Sequence, residues 1–106
     1  KHLKPLPLSG QDASVQGVQN IISGWQSGTV YKYVPDEANA AAAAAVALIK
    51  GQKPKTNTVR KNGAKNEPTL ALPVVWITKA NYTRLFKDKF LKKSDVCVGT
   101  FKQYCK

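Results

Sequence analysis

Within the first 34 residues the apolar pattern changes period twice, and that alternation indicates an α/β architecture. Leu3–Ser9 is a short apolar stretch with Leu6 and Leu8 on one face. Pro5 and Pro7 argue against a central strand there, because proline donates no ladder hydrogen bond. Gly10-Gln11-Asp12 reads as a turn, and Ala13–Ser23 as a helix with Val15, Val18, Ile21 and Ile22 on one side and Gly24 as its stop. Gly28–Val34 is β-branched and aromatic, the composition of a second strand. Strand, helix and strand joined by short loops make a βαβ unit, whose crossover is expected to be right-handed.

Pro35-Asp36 opens a second helix that is predicted to run to about Lys50 and to stop at Gly51, with Asp36 as its N-cap. Its alanine run has the highest helix propensity and a narrow face, and Val46, Leu48 and Ile49 predict partial burial. Gln52–Asn66 is a basic connector with Lys53, Lys55, Arg60, Lys61 and Lys65 around Gly63, read as a solvated loop or a β-excursion. Thr69–Thr78 is a nearly continuous apolar run interrupted by Pro73, as expected of a strand buried on both faces. Asn81 is placed to cap a last helix carrying Tyr82, Leu85, Phe86 and Phe90, with Lys87, Lys89, Lys92 and Lys93 on its wet side and C-terminal end. Trp25 and Trp76 are expected to pack structurally, in the core and in the buried run respectively.

A chain of 106 residues with 42% hydrophobic content is sufficient for one modest core. No apolar run approaches the ~20 residues that span a bilayer. Lys1-His2-Leu3-Lys4-Pro5 has charge but lacks the apolar segment of a signal peptide, so an address was removed earlier or the chain is a piece of something longer. Two cysteines and His2 do not make a four-ligand zinc site without carboxylates, and no metal site is assigned. In an oxidising compartment Cys97 and Cys105 would form one local disulfide; the alternative is two unpaired cytosolic thiols.

Enzyme templates are not met. There is no serine–histidine–acid set, Gly10 and Gly17 lack the spacing of a phosphate-binding loop, and Asp36 and Glu37 sit at a helix start where carboxylates suit the dipole without catalytic duty. The reading is a non-enzyme without a cofactor. Asp12 and Lys32 remain. Asp12 lies where the first strand gives way to a helix, and Lys32 near the end of the next strand. Ligands of open parallel sheets collect beyond the carboxyl ends of strands, and neighbouring strands are ~4.8 Å apart, so the two side chains could converge on one small molecule. A carboxylate that accepts hydrogen bonds and an ammonium that donates up to three suit a sugar's hydroxyls. The alternatives are a plain helix N-cap for Asp12 and a solvated strand-end lysine for Lys32.

Leu8-Ser9-Gly10-Gln11-Asp12-Ala13, Gln16-Gly17-Val18-Gln19 and Thr29-Val30-Tyr31-Lys32 resemble the C-terminal part of the sugar-binding proteins of bacterial ABC importers, within the type I periplasmic-binding-protein fold and nearest the xylose-binding type. The alanine-rich helix ending Leu48-Ile49-Lys50-Gly51 and the run Leu72–Asn81 resemble that family's later elements, so the likeness covers nearly the whole chain. Tyr33 stands where the family commonly has proline, and Lys89 where a glycine often follows the aspartate. The resemblance implies that Asp12 and Lys32 are direct sugar ligands. It further implies residues 1–34 as a βαβ unit of the C-terminal lobe, 35–68 as a helix and connector of the other lobe, and 69–106 as a hinge-crossing strand, final helix and cysteine tail.

The implied role is extracytoplasmic: binding a monosaccharide such as xylose or a related aldose and delivering it to the membrane subunits of an ABC permease. Because such proteins are two-lobed and longer, the sheet would be incomplete by itself. A truncated or proteolytic remnant is therefore expected, or a chain completed by an N-terminal lobe or a second copy. A second reading rests on the net charge of +11 and the basic connector: a small secreted cationic protein associating with anionic polymers or membrane surfaces. No specific nucleic-acid motif is present, and dispersed lysines that simply solvate the surface account for the charge more economically.

Overall fold

Residues 7–106 are described by a computed structural model. The expectations for His2, Leu3, Pro5 and Leu6 fall outside them. The described chain forms two units, one gathering the chain up to Lys32 with Val74–Lys106, the other Tyr33–Pro73.

In the first unit the opening strand β1, Ser9–Gln11, includes two residues that the sequence assigns to a turn. The turn falls instead on Asp12 and Ala13, because Asp12 N still donates to Val30 O (2.8 Å) and continues the ladder. Helix α1, Val15–Ser23, starts at Ser14, whose Oγ accepts from Gly17 N at 3.1 Å. Asp12 is therefore not the N-cap. Val18, Ile21 and Ile22 form its buried side. Strand β2, Gly28–Tyr31, pairs parallel with β1, as a βαβ unit requires. It ends three residues before the predicted Val34, which enters the following helix.

The run from Thr69 yields only a three-residue strand here, β3, Val75–Ile77, paired antiparallel with β2 on the side opposite β1. Pro73 precedes it, and just one of its faces is buried: Ile77 is enclosed while Trp76 is 46% exposed. Trp76 lies across Gly28, where an added Cβ would sit 2.5 Å from the indole Cζ2 and 2.6 Å from Ile77 O. Trp25 is 72% exposed, contrary to the core role expected for it, because it follows the left-handed Gly24 that ends α1. Asn81 does not cap a helix. Its Oδ1 accepts from Thr78 N (2.7 Å) and its Nδ2 donates to Trp76 O (2.9 Å), closing a turn before the short α2, Arg84–Lys87. A further turn of helix, α3, Lys93–Val96, and a 3-10 helix, Gly99–Tyr104, complete the unit.

The core joins Val18 and Ile22 of α1 to Tyr31, Ile77, Tyr82, Leu85 and Val96, with Phe86, Phe90 and both cysteines packed against it. Tyr31 and Phe90 meet with ring centroids 4.9 Å apart, and Phe86 stands edge-on to Tyr82 at 5.8 Å. Cys97 and Cys105 form a disulfide with Cα atoms 6.0 Å apart. Gln19 Nε2 donates to Val96 O at 3.2 Å, and Lys106 N donates to Tyr82 Oη at 2.7 Å. These contacts fix the tail to α1 and the core.

In the second unit α4, Val34–Ile49, begins at Tyr33 with Pro35 in its first turn. Asp36 and Glu37 lie in that turn beside the positive end of the dipole, so Asp36 is not the cap. No residue of this helix is buried, and Ile49 is 85% exposed, against the expected burial of Val46, Leu48 and Ile49. Alanine supplies helix propensity without an apolar stripe wide enough to hold a position. The basic connector is a β-hairpin, β4 Thr58–Asn62 and β5 Lys65–Thr69, with Asn62 paired to Lys65 across a two-residue loop. Gly63 takes φ 61° at the first loop position, the residue and conformation of a type II′ hairpin turn. Asn57 brackets the hairpin base, its Nδ2 donating to Ala71 O and its Oδ1 accepting from Ala71 N, both at 2.9 Å.

Candidate functional site

Asp12 and Lys32 each follow the last residue of one of two adjacent parallel strands, β1 and β2. The structure brings them together: Lys32 Nζ lies 2.7 Å from Asp12 Oδ1. The carboxyl ends of parallel strands thus present one acid and one amine at a common rim, where α/β sheets hold small ligands. The lysine side chain is 35% exposed and the aspartate 68%, so the pair is open to solvent.

An ion pair this exposed contributes at most about 1 kcal/mol to stability. The backbone beneath it costs more. Asp12 and Ala13 both lie in the left-handed region, at φ 72° and 46°. Aspartate tolerates that conformation through its short polar side chain, whereas for alanine it costs roughly 1–2 kcal/mol. Two bonds hold the turn: Asp12 N to Val30 O at 2.8 Å, and Ala13 N to the Thr29 hydroxyl at 3.3 Å. Ala13 is fully buried. At about 0.5–1.5 kcal/mol each, these two bonds offset that cost. A left-handed backbone beside a solvent-facing carboxylate is an observation from which a site can be proposed.

Among the described residues a second ion pair, Arg84 Nε to Asp88 Oδ2 at 3.3 Å, joins residues four apart around one short helix rather than the ends of two strands. In the second unit, a groove of about 360 Å3 between Glu37 and Lys55 is floored by Ala40, Ala44, Leu70 and Leu72, without a set of polar groups aimed at one point. Among the described residues, no group of three His, Cys, Asp or Glu side chains could hold a metal ion, and no helix is long and apolar enough to cross a membrane. Sequence reasoning missed the contribution of Thr29. The only signal for it is a β-branched hydroxyl residue inside an otherwise apolar strand, which strand propensity explains equally well.

No family model matches the sequence. Two curated relatives do: the D-xylose-binding periplasmic protein of Escherichia coli, 41% identical over 90 residues, and that of Haemophilus influenzae, 37% identical over 90 residues. Each alignment covers 84% of this chain and 27% of the relative, so the chain spans about a quarter of their length. A solved carbohydrate transporter solute-binding protein from Chloroflexus aurantiacus, in complex with D-glucose, superposes with a TM-score of 0.77 at 39% identity, over 84% of this chain and 26% of that one. An ABC transporter solute-binding protein from Clostridium phytofermentans with bound β-D-glucose gives the same TM-score at 22% identity, over 85% and 29% of the two chains, and speaks to fold alone. The chain is thus similar, along most of its length, to part of the ABC-importer sugar-binding proteins. Its fold is a portion of the periplasmic-binding-protein fold.

Proposed function

We propose that this chain supplies part of the sugar site of an extracytoplasmic solute-binding protein, with Asp12 and Lys32 as direct ligands to the hydroxyls of an aldose such as xylose or glucose. The observation that carries the reading is the 2.7 Å approach of Lys32 Nζ to Asp12 Oδ1 at the ends of two parallel strands. A carboxylate accepts from two adjacent hydroxyls, and the ammonium donates to a hydroxyl or ring oxygen. Relatives named for xylose and a solved relative holding D-glucose support a monosaccharide of pentose or hexose size.

In this reading residues up to Lys32 and from Val74 onward belong to one lobe and Tyr33–Pro73 to the other, which the division of the chain into those two units supports. The partners in this reading are the membrane subunits of an ABC permease. The rest of the clamp comes from an N-terminal lobe or from a second copy of the chain.

A sugar titration followed by backbone amide chemical shifts tests the site. With only one lobe's ligands present, affinity for D-xylose or D-glucose is expected in the millimolar range, about 4 kcal/mol of binding free energy. Shifts should concentrate at Asp12, Ala13 and Lys32, and should vanish in Asp12→Asn and Lys32→Gln variants that keep the wild-type fold by circular dichroism. Shifts centred elsewhere, or unaffected by both substitutions, would refute the assignment.

A further inference from the structure

We infer that Thr29 is a positioning residue for the Asp12 carboxylate, an inference that rests on the sugar-site reading above. Thr29 is 1% exposed in the middle of β2 and is the buried polar side chain of the described core. A buried hydroxyl on a three-stranded sheet needs a partner, and here it accepts from Ala13 N at 3.3 Å. Ala13 N belongs to the second of the two left-handed residues, φ 46°, directly after Asp12. Being fully buried, Ala13 has no water to take over that donor if the hydroxyl is removed.

The chain of contacts is short. The hydroxyl holds the Ala13 amide, the amide fixes the turn, and the turn sets where the Asp12 carboxylate stands relative to Lys32. The ladder bond from Asp12 N to Val30 O fixes just one side of the turn, so a relaxed Ala13 would let the peptide rotate while β1 stays paired. Thr29 itself is buried. Its effect on ligand passes through the backbone.

Thr29→Val keeps the shape of the side chain and removes the acceptor; Thr29→Ser keeps the acceptor and removes a methyl. In the valine variant, hydrogen exchange at the Ala13 amide should accelerate at least tenfold while the Val18 and Ile22 amides stay protected. The backbone coupling constants of Asp12 and Ala13 should move away from left-handed values. The D-xylose or D-glucose response at Asp12 and Lys32 should weaken about tenfold. The serine variant should restore all three, an outcome that loss of packing does not produce.

If Ala13 exchange and sugar response in Thr29→Val match wild type, the positioning role is wrong while the sugar site stands. If no sugar perturbs the wild-type chain but Ala13 exchange still depends on the hydroxyl, the sugar reading fails and Thr29 still holds the turn. Should valine prevent folding, the serine variant decides alone, since faster Ala13 exchange in a protein that retains the hydroxyl would overturn the inference.

Discussion

Among the described residues three helices end in the same hydrogen-bonded motif, and one of them does so without glycine. After α1, Gly24 N donates to Ile21 O and Trp25 N to Asn20 O; after α4, Gly51 N donates to Leu48 O and Gln52 N to Ala47 O. After α2, Lys89 N donates to Phe86 O (3.1 Å) and Phe90 N to Leu85 O (2.9 Å). Each is a Schellman cap with its central residue left-handed, at φ 93°, 67° and 55°. Only the third lacks glycine. A residue with a Cβ pays roughly 1–2 kcal/mol in that conformation. Glycine in turn loses about 0.4–1 kcal/mol more on folding, through its freer unfolded chain.

Lys89→Gly is therefore expected to stabilise the protein by about 0.5–1 kcal/mol, relative to Lys89→Ala, which removes the same charge and keeps the Cβ. The alanine reference matters because a cation near a helix C-terminus is itself favourable by about 0.3–1 kcal/mol. Gly24→Ala and Gly51→Ala supply the reverse experiment. An added Cβ at either position meets nothing within 4 Å, so their cost is conformational and should mirror the gain at position 89. Equilibrium urea unfolding of the four variants measures all of this, and a change of 1 kcal/mol moves the melting temperature of a domain this small by about 4–8 °C. If Lys89→Ala proves as stable as Lys89→Gly, the left-handed cost assigned here is wrong.

Two other perturbations separate contributions to the first unit. Gly28→Ala places a methyl 2.6 Å from Ile77 O, a backbone atom of the adjacent strand that cannot swing aside as Trp76 can. A loss of about 1–3 kcal/mol is expected in urea unfolding, and removing the ring with Trp76→Ala should relieve it only partly. Replacing Cys97 and Cys105 by serine opens a cross-link between residues eight apart and should cost about 2.5 kcal/mol on the loop-entropy model. Unfolding that is insensitive to reductant would show that the tail's packing suffices without the bond.

The sequence predicts the parallel pair and the meeting of Asp12 with Lys32, because a βαβ unit places both strand ends at one edge whatever the loop details. It starts the turn two residues early, at Gly10 instead of Asp12. Gly10 and Gln11 look like turn residues, yet the left-handed conformation is taken by Asp12 and Ala13, held by a hydroxyl 16 positions away that no local pattern reveals. Helix α4 is legible from alanine propensity, but its burial is not, since a uniform face carries no direction. Beyond Thr69, which ends the hairpin, the long apolar run contributes only Val75–Ile77 to a strand, with Pro73 just ahead of the ladder. Trp25 misleads for a related reason: size and hydrophobicity favour the interior, while a cap one residue earlier turns it outward.

Position 13 faces opposing demands. Its methyl is wholly enclosed, so glycine would free the backbone but remove buried contact, while serine or valine would have to place extra atoms among packed neighbours. The residue beside the acid is thereby constrained, and with it the backbone from which that acid projects. In the sugar-site reading proposed above, ligand preference at this edge would therefore be tuned by the side chains around Asp12 rather than by the peptide that carries it.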